Sequence, residues 1–224
     1  MIGIIDYNAG NIRSVQRALE ELNLEYIMSK NPTDLASADK LIFPGDGDDS
    51  YAMQELAKSG YDTFIKEAVA KGTFILGICV GSQILFEFTE EGNSNCLGLL
   101  EGRIRHFSSV FADNEKKGLL EAKDYAHLKI PHMGWNNLRI NKASLDGEAG
   151  CPILKGIDLH NDFYFVHSYL IQPKNDEIVA AWADYGVPVP ACIHKDSIYA
   201  CQFHPEKSGK PGLQILKNFA ELEK

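Results

Sequence analysis

Thr73-Phe74-Ile75-Leu76-Gly77-Ile78-Cys79-Val80-Gly81-Ser82-Gln83 is the stretch that decides the reading of this chain. Thr73 to Leu76 forms a short run of the kind found in strands buried on both faces. Gln83 to Phe88 then carries apolar residues on one face, which predicts a helix starting soon after the strand. Cys79 thus sits between two glycines at a strand-to-helix turn, the setting of a nucleophile elbow. A nucleophile on such a turn has strained backbone angles, and flanking residues without a Cβ let strand and helix approach closely. A helix N-terminus also favours an anion there. Taken alone, a cysteine after an apolar strand is more often a small core residue.

Working outward, Ile2 to Asp6 reads as a buried strand, and Asn11 to Leu22 places Ile12, Val15, Ala18, Leu19 and Leu22 at helical spacing. The unit repeats. Glu25 to Met28 reads as a strand, Thr33 can cap a short helix, and Lys40 to Phe43 is a strand stopped by Pro44-Gly45. Helical stretches at Met53 to Lys58 and Tyr61 to Ala70 lead to the strand before Cys79. Beyond Gly98 the segments are β-rich: Arg103 to Phe107, His127 to Ile130, Phe163 to Leu170, Ile178 to Ala183, Val189 to His194 and Ser197 to Phe203. Asp113 to Asp124 is a charged loop read as a solvated excursion. Gly212 to Leu222 closes the chain with a helix bearing Leu213, Leu216, Phe219 and Ala220 on one stripe. The expectation is one α/β domain over residues 1–224, with a mostly parallel central sheet and a β-rich second half.

Composition narrows the partners. With 22 basic against 31 acidic side chains the formal charge is -9, so nucleic acid is not expected as a partner. Five cysteines, an odd number without a CxxC pair, argue against a disulfide framework and a zinc knuckle, and reduced cytoplasmic thiols are expected. No basic leader opens the chain and no apolar run approaches the ~20 residues that span a bilayer, so neither export nor membrane insertion is expected. Metal-ligand spacing, a P-loop and a dinucleotide fingerprint are missing, and no cofactor is predicted.

A second motif changes the weight of Cys79. His204-Pro205-Glu206 follows the apolar run Ile198 to Phe203, at the strand's C-terminal end, where open parallel sheets bind ligands. Residues two apart in an extended segment point to the same side, and Pro205 fixes its own φ, so Glu206 can reach the His204 imidazole. Cys79, His204 and Glu206 then make a nucleophile, a base and its orienter in one hydrogen-bonded row.

Gly77 to Glu87 and Gln202-Phe203-His204-Pro205-Glu206-Lys207-Ser208 resemble the two signatures of class I glutamine amidotransferases, in the family order. Asp6-Tyr7-Asn8-Ala9-Gly10-Asn11, Pro131-His132-Met133-Gly134-Trp135-Asn136 and Tyr164-Phe165-Val166-His167-Ser168-Tyr169 are similar to the glutaminase subunits of imidazole glycerol phosphate synthase. The resemblance runs essentially end to end and implies a three-layer, flavodoxin-like fold. It implies that Cys79 attacks the side-chain amide of L-glutamine, giving a γ-glutamyl thioester and ammonia, and that water releases glutamate. It assigns Gln83, Glu91, His167, Ser168 and Tyr169 to glutamine binding. Gly45, Asp46, Gly47 and Val80 fall in the oxyanion region. The ammonia would pass to a (β/α)8-barrel cyclase subunit, with Asn11, Met133, Trp135 and Lys207 facing it.

Two departures stand out. The family's oxyanion strand usually reads Pro-Gly-Val-Gly, but here it is Pro44-Gly45-Asp46-Gly47-Asp48-Asp49-Ser50, and three acids could oppose an oxyanion. The expectation is that Asp46 points away while its backbone serves, and that a resting peptide turned the wrong way keeps hydrolysis slow until the cyclase is loaded. Ser82 also replaces a common methionine beside the nucleophile, which leaves the pocket's shape open. Two alternatives remain: a glutaminase subunit of pyridoxal phosphate, anthranilate or guanylate synthesis, or a non-catalytic module that binds glutamine or a partner.

Overall fold

Strands covered on both faces need apolar residues at nearly every position, and the first half of the chain supplies them in short runs. The computed structural model describes residues 1–140, 150–158 and 160–223. In it β1 (Ile2–Ile5), β2 (Tyr26–Ser29), β3 (Lys40–Gly45) and β4 (Phe74–Cys79) alternate with α1 (Ile12–Glu21), α2 (Asp49–Ser59) and α3 (Tyr61–Ala70). After the single turn α4 (Val80–Gln83) come β5 (Phe88–Thr89), β6 (Ser94–Asn95) and β7 (Gly102–His106), then α5 (Phe107–Lys116) and α6 (Ala122–Tyr125). The remaining strands are β8 (His132–Asn137), β9 (Arg139–Ile140), β10 (Asp162–His167), β11 (Tyr169–Pro173), β12 (Val179–Asp184), β13 (Pro188–Lys195) and β14 (Ile198–Cys201), and α7 (Gly209–Ala220) follows them.

The central sheet runs β2-β1-β3-β4-β14-β13-β12-β9. Its first five strands are parallel, in the flavodoxin-like order, and its last three are antiparallel. The result is a three-layer α/β architecture. Ile4, Ile5, Ile42 and Leu76 have no exposed surface, and burying each such side chain contributes roughly 1.5–3 kcal/mol. Two smaller sheets, β8 with β10 and β11-β7-β5-β6, flank the C-terminal ends of β3, β4 and β14. No described helix is long and apolar enough to cross a membrane.

Several local expectations are corrected. Pro44-Gly45 does not stop β3, which continues to Gly45 against β4; β1 pairs with it only as far as Ile42, so Pro44 lies where one side of the strand has no ladder to interrupt. The helix expected over Gln83 to Phe88 ends at Gln83. Ile84, Leu85 and Phe86 are buried all round, and their carbonyls accept from Leu97, Gly98, Leu99 and Leu100, which takes the acceptors a longer helix would use. Asn31, and not Thr33, caps the turn Pro32–Leu35 by accepting the Thr33 N–H. His127 to Ile130 is not a strand; the strand there starts at His132. The charged run 113–124 is a loop only over residues 117–121: Asp113 lies in α5 and pairs with Arg105 at 2.8 Å, and Asp124 lies in α6 and accepts the Glu121 N–H, while most of the run is exposed as expected.

Candidate active site

The parallel ladder of β3 and β4 places Gly45 opposite Cys79, and the chain reverses there. Cys79 has φ +55° and ψ -114°, a conformation costing a non-glycine residue of order 1–3 kcal/mol. Glycines make room for it. A Cβ on Gly77 would lie 2.6 Å from the Gly81 carbonyl oxygen, one on Gly81 would run into the Phe43 carbonyl oxygen, and one on Gly45 would run into the Gly81 nitrogen. Ser82 is buried and donates to the Cys79 carbonyl at 2.6 Å, so its hydroxyl braces the turn.

His204 is fixed through its own backbone: its N–H donates to Tyr164 O at 2.9 Å, and its carbonyl accepts from the Ser208 hydroxyl at 2.6 Å. Nδ1 of its ring lies 2.8 Å from Glu206 Oε1. A carboxylate only accepts, so Nδ1 carries a proton in either state of the ring, and Nε2 is the nitrogen left to take one up or give one away. Nε2 has no hydrogen-bond partner, and the Cys79 thiol instead meets the Val166 carbonyl at 3.8 Å. Of the expected row, the His–Glu bond is made, and the thiol lies beside the ring without a well-aligned hydrogen bond to Nε2. Burial disfavours the imidazolium, but Cys79 and Glu206 beside the ring outweigh it and raise His204 to about 9.

Cys79, Val80 and His204 line one cleft of ≈ 340 Å³ with Asp46, Gly47 and Lys207. Its remaining lining includes Gln83, Glu91, His167, Ser168 and Tyr169, so the expected glutamine-binding residues converge on the thiol. Gly45 and Glu206 stand behind the lining. Asn11 starts α1 outside the cleft, and Met133 and Trp135, 62% and 59% exposed, project from one face of β8.

The three acids each have a donor. Asp46 accepts the Gly10 N–H at 3.2 Å, Asp48 caps α2 by accepting the Tyr51 N–H at 2.7 Å, and buried Asp49 accepts the Thr89 hydroxyl at 2.6 Å. Gln83 spends both amide protons, on Tyr169 O at 2.8 Å and Gln202 Oε1 at 2.9 Å, so it can offer a ligand only its oxygen. Glu91 accepts the Asp49 N–H at 2.7 Å, and burial holds its carboxyl above the usual range against that hydrogen bond.

Sequence reasoning missed a polar row behind this wall. His167 Nδ1 lies 2.7 Å from Tyr169 O, His167 Nε2 lies 3.1 Å from His132 Nδ1, and His132 Nε2 lies 3.3 Å from the Asn136 amide nitrogen. Tyr169 O can only accept, so each ring donates through Nδ1 and accepts through Nε2. Burial lowers His132 to about 4 and, with His132 adjacent, His167 to about 3, so both are neutral near pH 7. Gln202 and Ser208 were quoted in the His-Pro-Glu motif without a role; polar residues beside the expected base were the available signal. Thr89 gave none, and Asp49 entered only as one of the three acids near the expected oxyanion.

The class-I glutamine amidotransferase family profile matches residues 3–222. The chain is 43% identical over 223 residues to the imidazole glycerol phosphate synthase subunit HisH of Geobacillus thermodenitrificans, covering 99% of this chain and 96% of that one. It is 43% identical over 227 residues to the HisH subunit of Methanocaldococcus jannaschii, covering 99% and 100%. A crystal structure of a glutamine amidotransferase superposes with a TM-score of 0.69 at 17% identity, covering 97% of this chain and 98% of that one. The structure of PurLQS from Thermotoga maritima gives 0.65 at 19%, covering 97% and 96%. With its full-length match to the profile and to these relatives, the chain belongs to the class-I glutamine amidotransferases.

Proposed function

We propose that this chain is the glutaminase subunit of an imidazole glycerol phosphate synthase, hydrolysing L-glutamine to glutamate and ammonia for histidine biosynthesis. The observation that supports it most is a cysteine on a strained, glycine-packed turn sharing a cleft with the His204–Glu206 pair. Likeness to HisH subunits over nearly the whole chain favours this pathway over pyridoxal phosphate, anthranilate or guanylate synthesis.

In the reaction, the Cys79 thiol gives its proton to Nε2 of His204 as the sulfur bonds to the amide carbon of the glutamine side chain, and the carbonyl oxygen takes the negative charge. Backbone N–H groups of Gly47 and Val80 are the donors we assign to that oxygen, each worth ~3 kcal/mol if lost. The intermediate collapses as the C–N bond breaks and His204 gives its proton to the leaving nitrogen. A γ-glutamyl thioester and ammonia result. His204 then takes a proton from water, whose oxygen displaces the sulfur to give glutamate. The ammonium group of the substrate falls to Glu91 and the Gln83 oxygen, both acceptors.

Ammonia passes to a (β/α)8-barrel cyclase subunit that docks over Met133 and Trp135, with Lys207 at the cleft between the two chains. We assign the resting state to a peptide of the 44–50 loop turned away from the oxyanion until that subunit is loaded. The test is synthesis with the candidate cyclase, driven by glutamine or by ammonia. Cys79→Ala should abolish the first and spare the second, and a glutamine-like diazoketone should label the Cys79 peptide of the wild-type complex. A complex that uses ammonia but never glutamine, with no label on Cys79, would leave a binding module. Glutamine hydrolysis by the isolated chain as fast as by the loaded complex would rule out the gating.

A further inference from the structure

The carboxyl of Asp49 has no part in the chemistry above. It is fully buried at the first residue of α2. Burial, opposed by the Thr89 hydroxyl and reinforced by Glu91 and Asp48, raises it to about 7. Helix capping does not account for the side chain, because Asp48 already takes the Tyr51 N–H.

What it does is close a ring. The Thr89 hydroxyl donates to Asp49 Oδ2 at 2.6 Å, the Glu91 N–H donates to Thr89 Oγ1 at 3.1 Å, and the Asp49 N–H donates to Glu91 Oε2 at 2.7 Å. Asp49 Oδ1 is buried without a partner, so Thr89 makes the one hydrogen bond of this side chain among the described residues. The turn is also pressed on α2: Gly92 has φ +65°, and a Cβ there would come 2.5 Å from Ser50 Cβ. Glu91 faces the cleft with one carboxylate oxygen held by the ring.

We propose that Asp49, acting with Thr89, is a positioning residue for substrate recognition, which holds the Glu91 carboxylate so that its other oxygen meets the ammonium group of glutamine. The inference rests on the assignment of Glu91 to that group made above. A glutamate tied at one oxygen has little rotamer freedom left to lose when the ligand arrives. Released from the ring, it must be ordered by the ligand itself, and the loss falls on binding and not on the step at sulfur.

Steady-state glutaminase kinetics of the complex with its cyclase test this, with Thr89→Val, Asp49→Ala, Asp49→Asn and Glu91→Gln beside the wild type. Thr89→Val and Asp49→Ala should each raise KM for glutamine about tenfold while kcat stays within about twofold. Asp49→Asn, whose amide oxygen can still accept the Thr89 hydroxyl, should bring KM back to within about threefold of wild type. Unchanged KM in both disrupting variants, or a fall in kcat with KM unmoved, would overturn the proposal. If Asp49→Ala does not fold, Thr89→Val, which exchanges one hydroxyl for a methyl, decides alone. Glu91→Gln separates the two levels: no change in its KM sinks the assignment of Glu91, whereas a raised KM there with none in Thr89→Val sinks only the ring.

Discussion

The turn that carries Cys79 and the turn that carries Glu91 reach the same cleft, but they are held there by different physics. Around Cys79 the backbone does the positioning: glycines at 45, 77 and 81 let main chains touch, and the nucleophile is displayed on a φ of +55°. Around Glu91 side chains do it, through three hydrogen bonds that link residues 49, 89 and 91. A backbone-built site tolerates almost no substitution. One built from side chains can be retuned a residue at a time, and its strength depends on protonation.

Substitutions at each turn sharpen that contrast. The largest effect is expected from Glu206→Gln, which removes the orienter of the base and should lower kcat about 10²–10⁴-fold with KM little changed. It should also bring His204 down from about 9, since burial would then be opposed by Cys79 alone; a pH titration of the His204 ring in the isolated chain checks this. Gly81→Ala comes next. Its Cβ would strike the Phe43 carbonyl, so urea unfolding should show a loss of about 3 kcal/mol together with glutaminase activity.

On the other turn the sign reverses. Asp49 has its carboxyl raised in the folded chain, so the folded state binds the extra proton and stability falls as pH climbs from about 4 to about 7. Asp49→Asn should therefore stabilise the chain by up to about 4 kcal/mol at pH 8 and by little at pH 4, read from unfolding at the two pH values. Equal gains at both would mean that the carboxyl is ionised in the folded chain at no cost. The smallest effect on stability is expected at Trp135, 59% exposed on β8: Trp135→Ala should change unfolding by less than about 0.5 kcal/mol. Titration with the cyclase should show binding weakened at least about tenfold if this residue anchors the interface.

How much was legible follows the same division. The elbow could be read because a backbone constraint leaves glycines in the sequence, and Gly77 and Gly81 flank Cys79 within five residues. His204-Pro205-Glu206 was legible because base and orienter are two residues apart. The ring of Asp49, Thr89 and Glu91 spans more than forty positions, and its members look like a helix start, a strand residue and an exposed turn. Nor could Gln83 be read as a residue whose amide protons are already spent, because Gln202 and Tyr169 O arrive from segments more than eighty residues away. The helix expected after Gln83 failed for a related reason: Ile84 to Phe86 are buried on every side and bond to residues 97–100, so their apolar character reflected enclosure and not one helical face. The charges at 113 and 124 are solvated, as they look in sequence, but the short helices that hold them, and their bonds to Arg105 and the Glu121 N–H, could not be read there.

The row Asn136–His132–His167–Tyr169 has a polarity, because every proton in it has one place to go and the final carbonyl also receives the Gln83 amide. A second proton on His167 would set two donors face to face at its 3.1 Å contact with His132, and one on His132 would face the Asn136 amide donor at 3.3 Å. Acidification to about pH 4 should therefore blunt glutamine recognition from behind the cleft wall, at a distance from sulfur, with the strand that presents Met133 and Trp135 as the other end of the same wire.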